Sequence, residues 1–255
     1  MAAYHHWSFL PSFLTDHPPT HPIIIITYSG DCNEEIESEV QSSSGGVTVY
    51  CLEPSQANFA QLILTRDKFF GTQTTTTKNV HWLTVNAAAS NQTAVSHFAR
   101  GCTSEQCALN LKSPLYDLID TTTVDAFILK HEIPYVDILK IDTEGYDATV
   151  IQGAMQSIAS GKVGVITFEY HEVGVWKEYK LRDVVDWLNG LNYMCYFDGK
   201  PSLARMTGCW DDAYEIYSWS NVVCVKRSDP LYAAMEKMAL RHEEYPGSYF
   251  KAMSE

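Results

Sequence analysis

The stretch that most constrains the fold is Val136-Asp137-Ile138-Leu139-Lys140-Ile141, followed at once by Asp142-Thr143-Glu144-Gly145-Tyr146-Asp147. Its first half is short, apolar and rich in β-branched residues, the composition of a strand buried on both faces. Strands of that kind sit inside parallel sheets covered by helices, so the block argues for an α/β domain. Lys140, Asp142 and Glu144 fall at alternate positions, which on strand geometry puts three charges on one side near the carboxyl end. Gly145 permits a turn. Val150, Ile151, Ala154, Met155 and Ile158 then recur at helical spacing, with Gly161 placed as a C-cap. Open α/β sheets bind ligands beyond the carboxyl ends of their strands, so the block is also the first candidate site. A solvated strand exit with a surface ion pair is the competing reading. A strand this apolar favours a crevice.

The rest of the chain alternates in the same way. Residues 1–21, rich in His, Pro and aromatics without period, read as an irregular arm before a domain spanning 22–227. Ile23-Ile24-Ile25-Ile26-Thr27 is a buried-strand pattern; residues 33–41 suit an acidic helix and 42–46 a loop. A second strand over 47–52 stops at Glu53-Pro54, since proline cannot donate to a central ladder. Ser55 suits the N-cap of a helix carrying Phe59, Leu62 and Ile63. After a polar connector at 74–78, residues 80–85 form a third strand ending in Asn86-Ala87-Ala88. Residues 91–120, with strand-like 94–98, read as an insertion. Thr121-Thr122-Thr123 caps a short helix at 124–131 that leads into the focal strand. Residues 163–168 make a fifth strand ending in Glu169-Tyr170-His171-Glu172, and Leu181, Val184, Val185 and Leu188 mark a helix. Residues 193–197 and 221–225 read as a closing pair of strands. A C-terminal helix over 229–242 and a tail complete residues 228–255. Strand and helix in alternation predict a doubly wound, mostly parallel sheet.

Charge and cysteine usage narrow the function. A formal net charge of -13 argues against a nucleic-acid backbone or an anionic membrane as main partner, because both require clustered Lys and Arg. No run approaches the roughly 20 apolar residues of a membrane span. The first residues lack a basic segment followed by an apolar core, so the expected location is cytoplasmic. The seven cysteines are scattered, which reads as reduced, structural thiols; Cys102 and Cys107 are close enough in sequence to pair. They lack a second Cys/His pair at zinc spacing, so no metal is expected. Asn91-Gln92-Thr93 matches the glycosylation acceptor pattern, which matters only in a secreted chain.

Glu53, at the end of the second strand, suits the two hydroxyls of a ribose, as in nicotinamide- and S-adenosylmethionine-binding folds alike. The first strand is not followed by Gly-x-Gly-x-x-Gly, which disfavours the nicotinamide reading. Five blocks then fall in a telling order: Val49-Tyr50-Cys51-Leu52-Glu53-Pro54, Asn86-Ala87-Ala88, Thr122-Thr123-Val124-Asp125, the focal Asp137-to-Asp147 block, and Phe168-Glu169-Tyr170-His171. In order and spacing they resemble the FkbM-type methyltransferases, over roughly residues 47–197, with the Lys-Ile-Asp-x-Glu-Gly block and its Gly153-Ala154 helix as the most specific part.

That resemblance implies a class I fold, Rossmann-like, with a seven-stranded sheet whose last strand is antiparallel, and S-adenosyl-L-methionine as methyl donor. It implies O-methylation of a small-molecule or carbohydrate acceptor, with Glu53 on the adenosine ribose, Asn86 and Ala87 near the adenine, and Asp142 and Glu144 facing donor and acceptor. The family's first loop, Asp-x-Gly-x-x-x-Gly, falls on residues 28–34, where only Gly30 matches; Tyr28 and Glu34 replace the acid and the second glycine. The alternative is therefore a catalytically silent module that keeps the fold for binding. For a transferase, Glu144 or His171 is the candidate base, with Asp142 orienting donor or acceptor. Trp210, Tyr214, Tyr217 and Trp219 read as packing residues ahead of an acceptor pocket.

Overall fold

The computed structural model describes residues 22–27, 47–70, 80–101, 107, 109, 115–198 and 203–240. The first-loop residues, Gly30 among them, the acidic stretch at 33–41 and the connector at 74–78 lie outside this set, as does the N-terminal arm.

The strands are β1 (Ile23–Thr27), β2 (Val47–Leu52), β3 (Val80–Val85), β4 (Ala88–Ala89), β5 (Ala94–Ala99), β6 (Tyr116–Thr122), β7 (Val136–Asp142), β8 (Val163–Tyr170), β9 (Tyr193–Asp198), β10 (Leu203–Arg205), β11 (Ser220–Lys226) and β12 (Ala239–Leu240). The helices are α1 (Gln56–Phe70), α2 (Val124–Lys130), α3 (Asp147–Gly153), α4 (Met155–Ala159), α5 (Leu181–Gly190) and α6 (Tyr232–Met238). Nine strands form one sheet in the order β12-β10-β9-β11-β8-β7-β1-β2-β3. β3, β2, β1, β7 and β8 run parallel; β11 is antiparallel to both β8 and β9. The sheet is wider than the seven strands expected, because β10 and β12 extend it beyond β9. β12 takes residues that the sequence pattern assigns to the last helix, which ends at Met238.

Alternation along β1 explains the two cores. Ile24 and Ile26 pack with Phe127, Ile128, Val150, Ile151, Leu181 and Val185. Ile23 and Ile25 pack with Leu62 and Met235 on the opposite face. Helices thus cover both sides, which is why β7 and β8 are buried along nearly their whole length. Local signals act where the residues predict. The Thr123 hydroxyl accepts from Ala126 N–H at 3.0 Å and caps α2. Gly161 turns the chain after α4 with φ 71°. The expected helix after Gly145 is two pieces, interrupted at Ala154.

The expected insertion is a second, three-stranded sheet in the order β4-β6-β5. Phe98 and Ile119 face inward from it, whereas Val95, Tyr116 and Leu118 are exposed. The reading of the cysteines as reduced thiols is overturned. Cys195 and Cys224 lie directly opposite each other on β9 and β11 and form a disulfide. Cys51 and Cys107 are each disulfide-bonded as well, Cys209 is free and exposed, and Cys102, expected as a possible partner of Cys107, lies outside the described residues. Physically, strand register decides this: it places Cys195 opposite Cys224 across a sequence separation of 29, which spacing along the chain does not reveal. Among the described residues no helix is long and apolar enough to cross a membrane.

Candidate active site at the carboxyl edge of the parallel strands

Register brings the ends of five strands into one row. Ile26 pairs with Leu52 and with Ile141, Leu52 with Val85, and Ile141 with Phe168. The next residues are Thr27, Glu53, Asn86, Asp142 and Glu169, so residues far apart in sequence meet along one edge. Glu53, Asp142 and Glu169 are all buried.

At the β2 end, Glu53 Oε1 accepts from Ser55 N–H at 2.7 Å, which fixes the carboxylate's direction. Glu53 N–H donates to Val85 O, and Asn86 Nδ2 donates to the carbonyls of Glu53 and Pro54 at 2.9 and 3.1 Å. The Asn86 amide nitrogen therefore braces the exits of β2 and β3 against each other. Ala87 is buried beside it, its N–H on Val85 O.

The β7 end carries the dense charge. Lys140 Nζ lies 3.2 Å from Asp142 Oδ2, both side chains buried, as expected for residues two apart on a strand. The alternation does not reach Glu144. β7 ends at Asp142, and Glu144 (φ 53°) and Gly145 (φ 90°) form a turn. A non-glycine residue at positive φ is uncommon and such strain concentrates at functional sites. Glu144 is buried in that turn. Gly145 has a steric reason to be glycine: an added Cβ would stand 2.5 Å from Val173 O. Val175 N–H donates to Gly145 O at 2.9 Å, and Gly174 (φ 66°) backs onto Gly145 from the segment after β8. The two exit loops meet backbone to backbone.

Asp147, the first residue of α3, joins the same cluster. Oδ2 accepts from Gly145 N–H at 3.2 Å and Oδ1 from Glu169 N–H at 3.3 Å, tying the β7 turn to the β8 end. Complete burial, with the charges of Glu169 and Asp142 beside it, pushes its carboxyl well above the ordinary value. The sequence reading did not single it out. Its available signal was an acid in the first turn of a helix, where the macrodipole favours negative charge.

His171 is fully buried, its ring stacked on Trp219 at 3.8 Å. Nδ1 accepts from Val173 N–H at 3.1 Å, so in the neutral ring the proton sits on Nε2, which lies 3.9 Å from Glu169 Oε2. Trp219 thus packs on the candidate residue His171. Tyr214 is buried packing as expected, against Phe197 and Trp210. Tyr217 lies against Tyr170 and remains partly exposed.

A family model for the methyltransferase FkbM domain matches residues 27–195, more than half of the chain. The chain belongs to the FkbM methyltransferase family. The match takes in Glu53, Asn86, Asp142, Glu144, Asp147 and His171, and also Gly30; Trp219 lies beyond it. Among solved structures, the methyltransferase FkbM from Methylobacillus flagellatus KT is 14% identical, with a TM-score of 0.48 over 80% of this chain and 43% of that one. The chain thus spans less than half the length of that relative. A proposed methyltransferase from Thermoplasma acidophilum is 12% identical, with a TM-score of 0.33 over 88% of this chain and 72% of that one. No curated protein matches the chain.

Proposed function

We propose that this FkbM family member is an S-adenosyl-L-methionine-dependent O-methyltransferase acting on a hydroxylated small molecule or sugar. The observation that carries the reading is the row of Glu53, Asn86, Asp142 and Glu169 at the carboxyl edge of the parallel strands, within the family match. In this reading β3-β2-β1-β7-β8-β11-β9 is the doubly wound seven-stranded class I core, with β10 and β12 appended.

The described residues fit the donor chemically. The Glu53 carboxylate, oriented by Ser55 N–H, offers acceptor oxygens of the kind that suits the two hydroxyls of a ribose. Asn86 and Ala87 shape the neighbouring adenine side through the backbone they brace. When bound, the donor supplies a methyl group on a positively charged sulfur, an electrophile that needs alignment more than activation.

This chain's residues then position the acceptor and hold its proton. Asp142, paired with Lys140 Nζ, orients donor and acceptor. Glu144, in its strained buried turn, is the base, a role worth about 10²–10⁴-fold. His171, its Nδ1 engaged by Val173 and its Nε2 directed at Glu169, serves as the positioning member of the set.

The test is a thermal-shift titration with S-adenosylhomocysteine, with NADH as control. At 100 times its dissociation constant the ligand adds about 2.7 kcal/mol, or about 5–10 °C for a domain of this size. A shift with that compound alone, followed by label transfer from radioactive donor to a hydroxylated acceptor, is expected. No shift at saturating ligand would overturn the reading.

A further inference from the structure

The disulfides bear on the one sequence motif that the proposed reaction leaves aside. Four of the five described cysteines are in disulfides. Such bonds persist in oxidising compartments and are rare where glutathione keeps thiols reduced. Cys195 and Cys224 sit at 0% exposure in the middle of the sheet, so their bond belongs to the folded core and is no surface accident. The chain carries a single Asn-x-Ser/Thr sequence, Asn91-Gln92-Thr93. That motif is used in the compartment where disulfides form. It lies where modification is possible: all three residues are exposed, on the bend between β4 and β5.

We infer that this protein matures in an oxidising secretory compartment and carries an N-linked glycan on Asn91. In the reaction, Asn91 Nδ2 forms a bond to the anomeric carbon of a lipid-pyrophosphate-linked oligosaccharide. The anomeric C–O bond breaks, the pyrophosphate leaves with the electron pair, and one amide proton is lost to the transferase's base. One N–H remains on Nδ2. The existing hydrogen bond from Asn91 Nδ2 to Gln152 Oε1, at 3.2 Å on the surface, is therefore compatible with the modified side chain. The small sheet that Thr93 leads into exposes Val95, Tyr116 and Leu118, an apolar face that a neighbouring glycan shields.

The experiment takes the full chain from its own cells, alkylates it without reductant, digests it, and treats the peptides with peptide-N-glycosidase in heavy-oxygen water. The expected result is an Asn91 peptide converted to labelled aspartate, together with a cross-linked Cys195–Cys224 peptide pair. Thr93→Ala, expressed in the same cells, abolishes the label while Thr93→Ser retains it. An unmodified Asn91 peptide overturns the proposal, whether or not the disulfide is present. So does alkylation of Cys195 and Cys224 before reduction.

Discussion

The two flanks of the sheet bury polar groups in opposite ways. At the ends of β7 and β8, Asp142, Glu144, Asp147 and Glu169 share one buried region with Lys140 and His171, so negative charge outnumbers positive and one carboxyl, Asp147, is driven towards its protonated form. Around β9, β10 and β11 phenols, one carboxylate and one guanidinium engage one another. Tyr193 O–H donates to Val163 O, and Glu236 accepts from both Tyr196 and Arg205. Burial, reinforced by Glu236, raises the Tyr196 phenol, which therefore stays neutral. A disulfide staples the same flank. Like charges crowded into one buried region are poor architecture and suit chemistry. The other flank reads as architecture.

If that contrast is sound, mutation should separate stability from turnover. Asp142→Ala leaves the buried Lys140 without Asp142 and should destabilise the fold by about 3–5 kcal/mol. The double change Lys140→Met with Asp142→Leu should recover most of that in a urea melt while turnover stays lost. Recovery of turnover would mean that the pair is structural.

On the other flank, Cys195→Ala with Cys224→Ala should lower stability by roughly 3–4 kcal/mol, from the entropy of the loop that the bond closes. Affinity for S-adenosylhomocysteine, measured by calorimetry well below the melting temperature, should not change.

Asp147 gives a pH signature. Its folded carboxyl titrates above the ordinary 3.8, so the folded state holds a proton that the unfolded chain has released. The stability it contributes is complete below about 3.8 and is lost as pH rises through the folded value. In Asp147→Asn that slope disappears, against a loss of about 1–3 kcal/mol because an amide nitrogen cannot accept from Gly145 or Glu169 N–H. The difference between wild type and variant, read from urea midpoints across pH, should therefore narrow as pH rises. A flat difference would place Asp147 as an ordinary ionised cap.

The smallest effect is Tyr196→Phe. Glu236 keeps Arg205, so the loss should be about 1.5 kcal/mol, with unchanged kinetics. A kinetic effect there would extend the active region into the flank assigned to architecture.

The β7 strand, the caps at Ser55 and Thr123 and the helices on both faces were legible because each depends on a few neighbouring residues. Glu53 and Asp142 were legible as site candidates because strand ends in α/β sheets have a fixed meaning. Glu144 was placed on the right segment for an incomplete reason: the alternation stops one residue after Asp142, and a positive-φ turn, which no period reveals, sets its position. Asp147, Trp219 and the Cys195–Cys224 bond depend on contacts between β7, β8, β9 and β11. Those contacts come from register between segments 22 or more positions apart in the chain, beyond the reach of local pattern. The extra strands β10 and β12 are three and two residues long, too short to carry a period.

The meeting of Gly145 and Gly174 has a dynamic consequence. Two left-handed glycines pressed backbone to backbone leave no side chain that could swing aside, and the Val175 N–H bond to Gly145 O joins their segments. Rotamer changes cannot part the two exit loops there. Parting them requires backbone movement and the loss of that hydrogen bond, so a shift of either segment is felt by the other.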